Sequence, residues 1–203
     1  MSSVLGTYAR KDIAFTKGKG SYLFSDNGDK YLDFVQGIAT NILGHCHKHL
    51  VKTIQEQSKK LWHVSNAFVI PDQEKLAKRL TDKTFADFVC FQNSGTEATE
   101  ASIKIARKYF HKIGKPEKNR IITFKGAFHG RTLAALFAAN NPKHVEGFGP
   151  MVDGFDQVPF ADHEAIKKAI TKNTAAIMVE TIMGEGGIKV VPDFCLKGLR
   201  DLC

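Results

Sequence analysis

Hydrophobic and polar positions change pattern most sharply between residues 85 and 113. Residues 85–91 are short, apolar and rich in Phe and Val, which is typical of a buried strand that includes Cys90. A polar turn follows, and from residue 98 onward the apolar residues recur at helical spacing. They form two rows, Ala98, Ala101, Ile105 and Tyr109 in one and Ile103, Ala106, Phe110 and Ile113 in the other. The pattern predicts a strand, a turn and a helix that is apolar over a wide face.

Residues 15–35 predict a small antiparallel unit at the start of the chain. Residues 22–24 and 31–34 are strand-like, and the Asp-Asn-Gly-Asp run at 26–29 is a strong turn signal between them. A helix over about residues 48–61 should follow, with the inward-facing apolar residues Leu50, Ile54 and Leu61.

Helices and short apolar strands alternate through the rest of the chain. A helix is predicted over residues 72–81, and strands are predicted at 120–124 and 175–179. This alternation indicates an α/β fold with a mainly parallel sheet. We expect an N-terminal segment over residues 1–65, with the hairpin and one helix, and the first part of a larger α/β domain over 66–203.

The turn after the first apolar strand carries the strongest chemical signal. Ser94 and Glu97 have the spacing of a capping box, and Gly95 allows a ligand to approach the backbone closely. The N–H groups and positive dipole at a helix start suit a phosphate, and Ser94 and Thr96 add hydroxyl donors. The alternative is a capped helix after a core strand, with no ligand.

Two later stretches also follow predicted strands, where ligands gather in open α/β sheets. Phe128 could stack on a planar cofactor, and the guanidinium of Arg131 suits a carboxylate. The alternative is a core Phe and a solvent-exposed Arg. Residues 179–187 present Glu180 and Glu185 among three glycines. These carboxylates could hold a cationic group, or they could be solvated acids in a glycine-rich connection.

Composition narrows the class of protein. The 203 residues have a formal net charge of +8, but the lysines are spread along the chain without interleaved aromatics, which argues against nucleic acid as a partner. No apolar run approaches the ~20 residues that span a bilayer, and the N-terminus lacks a signal-peptide core. The four cysteines form no Cys-x-x-Cys pair, which suits free thiols in the cytoplasm.

Three histidines and a cysteine at positions 45–49 raise the question of zinc. A tetrahedral site normally draws its ligands from two separated pairs, and the sequence offers no second pair. We interpret the segment as a polar turn before a helix and predict no metal site.

Together these stretches resemble the class III pyridoxal-phosphate aminotransferases of fold type I. Residues 93–98 are similar to the family's phosphate-binding turn, 128–132 to its ring-stacking and carboxylate-binding segment, and 184–187 to part of its glycine-rich loop. Further similarity, at residues 37–39, 44–47 and 62–66, is to the branch that acts on acylated ornithine. The resemblance runs over essentially the whole chain in the family's order.

The resemblance implies a role for each matching residue. Ser94, Gly95 and Thr96 would hold the phosphate of pyridoxal 5′-phosphate, and Phe128 would stack on its pyridine ring. Arg131 would bind the substrate α-carboxylate, and Glu185 would order the substrate side or a gating arginine. The branch specific for free ornithine has a tyrosine near the position of Ile38, so its absence here favours an acylated substrate.

The sequence also departs from the family pattern. Thr181 and Met183 replace the family's Pro and Gln, and Lys48 replaces a Pro. In the family, the aspartate that pairs with the pyridine nitrogen and the Schiff-base lysine both come later than Cys203. We therefore expect the N-terminal half of an enzyme, inactive alone, and we nominate no catalytic residue.

The implied reaction transfers the δ-amino group of N-acetylornithine to 2-oxoglutarate within arginine biosynthesis, in a homodimer. Ornithine, succinylornithine and 4-aminobutyrate are alternative donors. A different class of function stays open, in which the chain is a short non-catalytic protein that binds the cofactor phosphate or pairs with a full-length relative.

Overall fold

The structure, a computed structural model, describes residues 3–203 and divides into two compact units, Met1–Asp87 and Phe88–Cys203. Our predicted boundary at residue 65/66 concerns the domains of a complete enzyme, and it stays a prediction. No helix within residues 3–203 is both long and apolar enough to cross a membrane.

The first unit begins with the predicted antiparallel sheet. Its strands are β1 (Phe15–Lys19), β2 (Tyr22–Ser25) and β3 (Lys30–Leu32), in the order β1-β2-β3. The turn between β2 and β3 contains Gly28 at φ +90°, a conformation that costs glycine little because it lacks a Cβ. The hairpin prediction is confirmed, and β1 adds a third strand.

A left-handed turn, α1 (Gln36–Ala39), follows the sheet. All four residues have positive φ, from +48° to +64°, although only Gly37 is a glycine. The carboxylate of Asp33 accepts hydrogen bonds from the N–H groups of Val35 and Gln36 at 2.9 and 2.8 Å. These bonds help to hold backbone conformations that L-residues otherwise avoid.

His45 supports Asp33 from the other side. Its Nε2 lies 2.7 Å from Asp33 Oδ2, and its Nδ1 lies 2.9 Å from the Asn41 side-chain nitrogen. A Cβ on Gly18 would lie 2.6 Å from the His45 ring, so this packing requires glycine there. The histidine cluster therefore contributes one side chain to a structural network. Among the described residues, no group of three or more His, Cys, Asp or Glu side chains is placed to hold a metal.

Two helices complete the first unit, α2 (Lys48–Gln57) and α3 (Pro71–Thr81). Both were predicted, although α2 ends at Gln57 and leaves Leu61 outside the helix. The inward orientation of three apolar side chains was wrong, because Leu50, Ile54 and Leu61 are 43%, 68% and 54% exposed. The periodicity identifies an apolar face correctly. The periodicity does not show whether another part of the protein covers that face. Neither helix has a buried residue.

The second unit is built on a three-stranded parallel sheet in the order β5-β4-β6. Its strands are β4 (Arg120–Phe124), β5 (Phe155–Val158) and β6 (Thr174–Ile177). The predicted strand at 120–124 is matched residue for residue. The buried core joins the sheet to two helices through Ile122, Phe124, Val158, Ile166 and Leu199.

Helices surround this sheet, and a short antiparallel pair follows it. The helices are α4 (Gly95–Lys112), α5 (Leu133–Ala139), α6 (Pro142–Val145), α7 (His163–Ala169) and α8 (Asp193–Leu202). The pair is β7 (Ile182–Met183) with β8 (Lys189–Val190). The α/β fold with a parallel sheet is therefore confirmed.

The strand predicted at residues 85–91 is not formed. Phe85 and Phe88 are 98% and 90% exposed, and Cys90 is exposed rather than buried. A strand requires a neighbour to complete its ladder of hydrogen bonds, and no strand within residues 3–203 pairs with this segment. The apolar composition of the segment does not show whether such a neighbour exists.

All four cysteines are free thiols, and only Cys195 is buried.

Candidate functional site

The start of α4 forms one half of the predicted capping box, the helix cap by Ser94. Ser94 has extended backbone angles, and its Oγ accepts a hydrogen bond from the Glu97 N–H at 3.2 Å. The Ser94 hydroxyl also donates to Glu97 Oε2 at 3.2 Å. Ser94 is thus engaged in capping the helix through both its acceptor and its proton.

The free donors at this helix start lie one and two residues later. Among residues 3–203, the N–H groups of Gly95 and Thr96 have no hydrogen-bond acceptor. Both precede the first N–H that the helix itself can satisfy, and they lie at the positive end of its dipole. This arrangement suits an anion such as a phosphate ester.

Thr96 joins the helix start to the second predicted stretch. Its Oγ1 accepts a hydrogen bond from the Arg131 N–H at 3.1 Å, which leaves the hydroxyl proton available. A Cβ on Gly130 would lie 2.5 Å from the same oxygen, so the two segments approach closely only because residue 130 is glycine. Gly130 also has φ +134°, which disfavours other residues.

Phe128 and Arg131 lie together in this loop. The guanidinium carbon of Arg131 is 5.1 Å from the centroid of the Phe128 ring, within the range of a cation–π contact. Phe128 is half-buried, whereas Arg131 is exposed, and its guanidinium has no carboxylate partner within the described residues. The side chain is therefore free to bind an external carboxylate in the bidentate geometry that arginine favours.

The loop at 184–187 lies beside the same strand ends. A Cβ on Gly186 would lie 2.8 Å from the Gly126 carbonyl oxygen, and the Met183 methyl lies 3.3 Å from the Cβ position of Gly126. Glu185 is exposed and makes no hydrogen bond or ion pair with the part of the chain that is described. The structure brings the backbone of this loop to the site, but it shows no contact of the Glu185 side chain with the other candidate residues.

Two carboxylates hold the site together: Glu100, which the sequence analysis did not select, and Glu180, for which it considered only a cationic partner. Glu180 Oε1 accepts a hydrogen bond from the Phe128 N–H, and Glu100 Oε1 accepts one from the Thr132 hydroxyl. Glu100 is four residues after Thr96 on α4, so helical spacing alone places both on one face. That spacing was the available signal for Glu100, but nothing local predicts the partner of Glu180.

His129, between Phe128 and Gly130, is 8% exposed, and its Nε2 has no hydrogen-bond partner within residues 3–203. Burial lowers the pKa of the His129 imidazole below its ordinary value, because the charged form loses hydration. The ring is therefore neutral at physiological pH, and it adds no positive charge to the loop.

Comparison with known proteins identifies the family of the chain. The family model described as "Aminotransferase class-III" matches residues 7–203. The chain belongs to the class-III aminotransferase family. Class-III aminotransferases depend on pyridoxal phosphate, which is an appropriate ligand for an anion-accepting helix start beside an aromatic ring and a free arginine.

Relatives of known name agree with this assignment. The chain is 57% identical to the acetylornithine aminotransferase of Agrobacterium fabrum over 97% of its own length and 49% of that protein. It is 47% identical to the acetylornithine aminotransferase of Methanocaldococcus jannaschii, over 98% of the chain and 50% of that protein. The chain spans about half the length of the curated relatives it matches.

Solved structures show the same fold. The ornithine aminotransferase from Toxoplasma gondii ME49 superposes with a TM-score of 0.93 at 30% identity, over 99% of the chain and 48% of that protein. An (S)-enantioselective omega-transaminase from Thermomicrobium roseum superposes with a TM-score of 0.85 at 28% identity, over 94% of the chain and 48% of that protein. The fold-type-I prediction is confirmed, with this chain corresponding to part of that fold.

Proposed function

We propose that residues 7–203 supply the phosphate, ring and substrate-carboxylate contacts of a pyridoxal-phosphate-dependent aminotransferase. The observation that carries this proposal is the hydrogen bond from the Arg131 N–H to Thr96 Oγ1, at 3.1 Å. It places the anion-accepting helix start next to the loop that presents Phe128 and Arg131.

The residues present fit the cofactor. The free N–H groups of Gly95 and Thr96, with the Thr96 hydroxyl proton, would bind the phosphate. Ser94 would act mainly through its helix cap, since its hydroxyl is engaged with Glu97. The Phe128 ring would stack on the pyridine ring. Pyridoxal phosphate, when bound, supplies an aldehyde that accepts amino groups and a ring that withdraws electrons.

Arg131 is the proposed anchor for the substrate. Its unpaired guanidinium would bind the α-carboxylate and fix the orientation of the amino acid at the cofactor. Glu185 would contact the far end of the substrate or a gating arginine. The amino donor that we favour is N-acetylornithine, reacting at its δ-amino group, with 2-oxoglutarate as acceptor, in arginine biosynthesis. The relatives named as acetylornithine aminotransferases support this choice.

Free ornithine is the second candidate donor, because the ornithine aminotransferase from Toxoplasma gondii has the same fold over 99% of this chain. Sequence favours the acylated donor, with identities of 47–57% to the acetylornithine enzymes against 30% to that protein. For the complete enzyme we further propose a cytoplasmic homodimer. The family resemblance supports the dimer, and the four free thiols support the compartment.

A complementation experiment tests the proposal. The chain is co-produced with the C-terminal half of the Agrobacterium fabrum relative, and glutamate formation from 2-oxoglutarate is measured with N-acetylornithine, ornithine, succinylornithine and 4-aminobutyrate as donors. We expect activity with N-acetylornithine above the other donors, lost in Arg131→Ala and retained in the exposed-site control Lys143→Ala. A reconstituted complex that binds pyridoxal phosphate but transfers no amino group from any donor would contradict the proposed reaction.

The chain alone provides a second test. Borohydride reduction in the presence of pyridoxal phosphate should leave no stoichiometric adduct at a single lysine. Such an adduct would show that a Schiff-base lysine lies within residues 1–203 and that the assignment of its place in the family pattern is wrong.

A further inference from the structure

Glu180 connects two neighbouring strand ends of the parallel sheet. Phe128 follows β4, Glu180 follows β6, and the Phe128 N–H donates to Glu180 Oε1 at 2.5 Å. Both residues are half-buried, so water competes only partly for this bond. An N–H group paired with a carboxylate makes a shorter and stronger hydrogen bond than one paired with a neutral acceptor.

The loop that carries Phe128 needs such a restraint. It lies between Gly126 at φ +84° and Gly130 at φ +134°, and glycines leave the backbone many alternative conformations. Beyond Phe128, the loop is held by the hydrogen bonds from the Arg131 N–H to Thr96 and from the Thr132 hydroxyl to Glu100. Within residues 3–203, the contact with Glu180 is the one hydrogen bond made by Phe128 itself.

The restraint limits the direction in which the ring can point. The direction of the Cα–Cβ bond follows from the backbone, and an aromatic side chain has only two further torsions. Stacking is sensitive to the offset and tilt of the two rings. An acceptor fixed at the end of β6 therefore restricts the directions in which Phe128 can face a planar ligand.

We propose that Glu180 is a positioning residue, which fixes the Phe128 backbone so that the ring is preset to stack on a heteroaromatic ligand. The identity of that ligand as pyridoxal phosphate rests on the proposed function. Glu180 acts through the peptide group and not by contact with the reacting atoms. Its role should therefore be met in large part by any acceptor of the same reach, including the amide oxygen of glutamine.

The first measurement needs no ligand. Amide hydrogen exchange is followed at Phe128 in the full chain for Glu180→Ala, Glu180→Gln and the control Glu164→Ala, whose carboxylate pairs with Lys167 on the surface of α7. We expect Phe128 exchange to rise about tenfold or more in Glu180→Ala, to rise less in Glu180→Gln, whose neutral amide oxygen accepts a weaker bond, and to stay near wild type in Glu164→Ala. Unchanged exchange in Glu180→Ala, or equal acceleration in Glu180→Gln, would overturn the proposal.

The second measurement separates the ring from the phosphate. Binding of pyridoxal phosphate and of inorganic phosphate is titrated in the same variants. Glu180→Ala should weaken the binding of pyridoxal phosphate by about tenfold. The binding of inorganic phosphate should be unaffected, because Gly95 and Thr96 remain in place. An equal loss of affinity for both ligands would indicate a general structural role and would overturn the proposal. If the wild-type chain binds neither ligand, the assignment of Gly95, Thr96 and Phe128 as cofactor contacts fails, and amide exchange still decides the role of Glu180.

Discussion

The Arg131 N–H and the Thr96 hydroxyl oxygen are joined by a 3.1 Å hydrogen bond. The two residues are 35 positions apart in the chain and belong to different connections of the α/β unit. Gly130 makes the approach possible, since any Cβ there would overlap Thr96. One contact between a helix start and a loop therefore brings together donors for a phosphate, an aromatic ring and a guanidinium.

Replacing Thr96 should separate its acceptor role from its size. Thr96→Val removes the oxygen at nearly constant volume, and Thr96→Ser retains it. We expect Val to destabilise the chain by about 0.5–1.5 kcal/mol, because the Arg131 N–H exchanges its acceptor for water, while Ser costs less. Urea unfolding of both variants gives the comparison. Equal stability of the two variants would show that the hydrogen bond contributes nothing.

Gly130→Ala should be more damaging than substitution of a glycine in open space. The added Cβ would lie 2.5 Å from Thr96 Oγ1, and the positive φ adds backbone strain. We expect a loss of about 1–3 kcal/mol in the free energy of unfolding. Gly184→Ala is the matched control, because a Cβ there meets nothing within 4 Å. If both variants unfold at the same urea concentration, the close approach is not required.

Two substitutions at Ser94 should distinguish helix capping from phosphate binding. Ser94→Ala removes the acceptor for the Glu97 N–H and should cost about 1 kcal/mol of stability. Ser94→Asp provides another cap and should restore stability, but its charge should repel an anion at the free N–H groups. Urea unfolding reports the first effect, and titration with inorganic phosphate reports the second. Tight phosphate binding by Ser94→Asp would contradict the proposed anion site.

Asp33 should contribute to stability in a pH-dependent way. The Gln36 N–H, followed by the His45 side chain, lowers the pKa of the Asp33 carboxyl below its ordinary value. Because the folded pKa is the lower one, the contribution is complete above about pH 4, the ordinary range of an unfolded aspartate. It is lost as the pH falls through the folded pKa.

In Asp33→Asn the amide oxygen can still accept from Val35 and Gln36, but the residue no longer titrates. The difference in unfolding free energy between pH 7 and pH 3 should therefore be smaller than in the wild type. Urea unfolding at the two pH values measures it. The surface variant Asp72→Asn, whose carboxylate pairs with Lys75 in solvent, should keep the wild-type difference.

Local signals in the sequence predicted what local forces determine. The Ser94 cap and the hairpin turn at Gly28 depend on neighbouring residues, and the predicted strand at 120–124 has a buried apolar pattern. The segment at 85–91 has a similar composition, but no strand pairs with it within residues 3–203. A segment forms a strand only when a neighbouring strand pairs with it, and the composition of the segment does not show whether such a neighbour exists.

The candidate site shows the same division. Thr96, Phe128 and Arg131 were selected by residue type, and the structure places them in one region. For Glu180 the sequence suggested a cationic partner, and its contact with a peptide N–H 52 residues away was not predictable. Side-chain chemistry can be read from a sequence, whereas an acceptor for a distant backbone group depends on the register of β4 and β6.

The turn at Gln36–Ala39 has positive φ at four successive residues, the opposite sign to an ordinary helical turn. Chirality therefore works against the L-amino acids there, by roughly 1–2 kcal/mol per residue. A D-alanine introduced at position 39 by chemical synthesis would favour the positive φ that the natural L-alanine adopts only at an energetic cost. At this turn, the chirality of the L-amino acids disfavours the left-handed backbone that the fold contains.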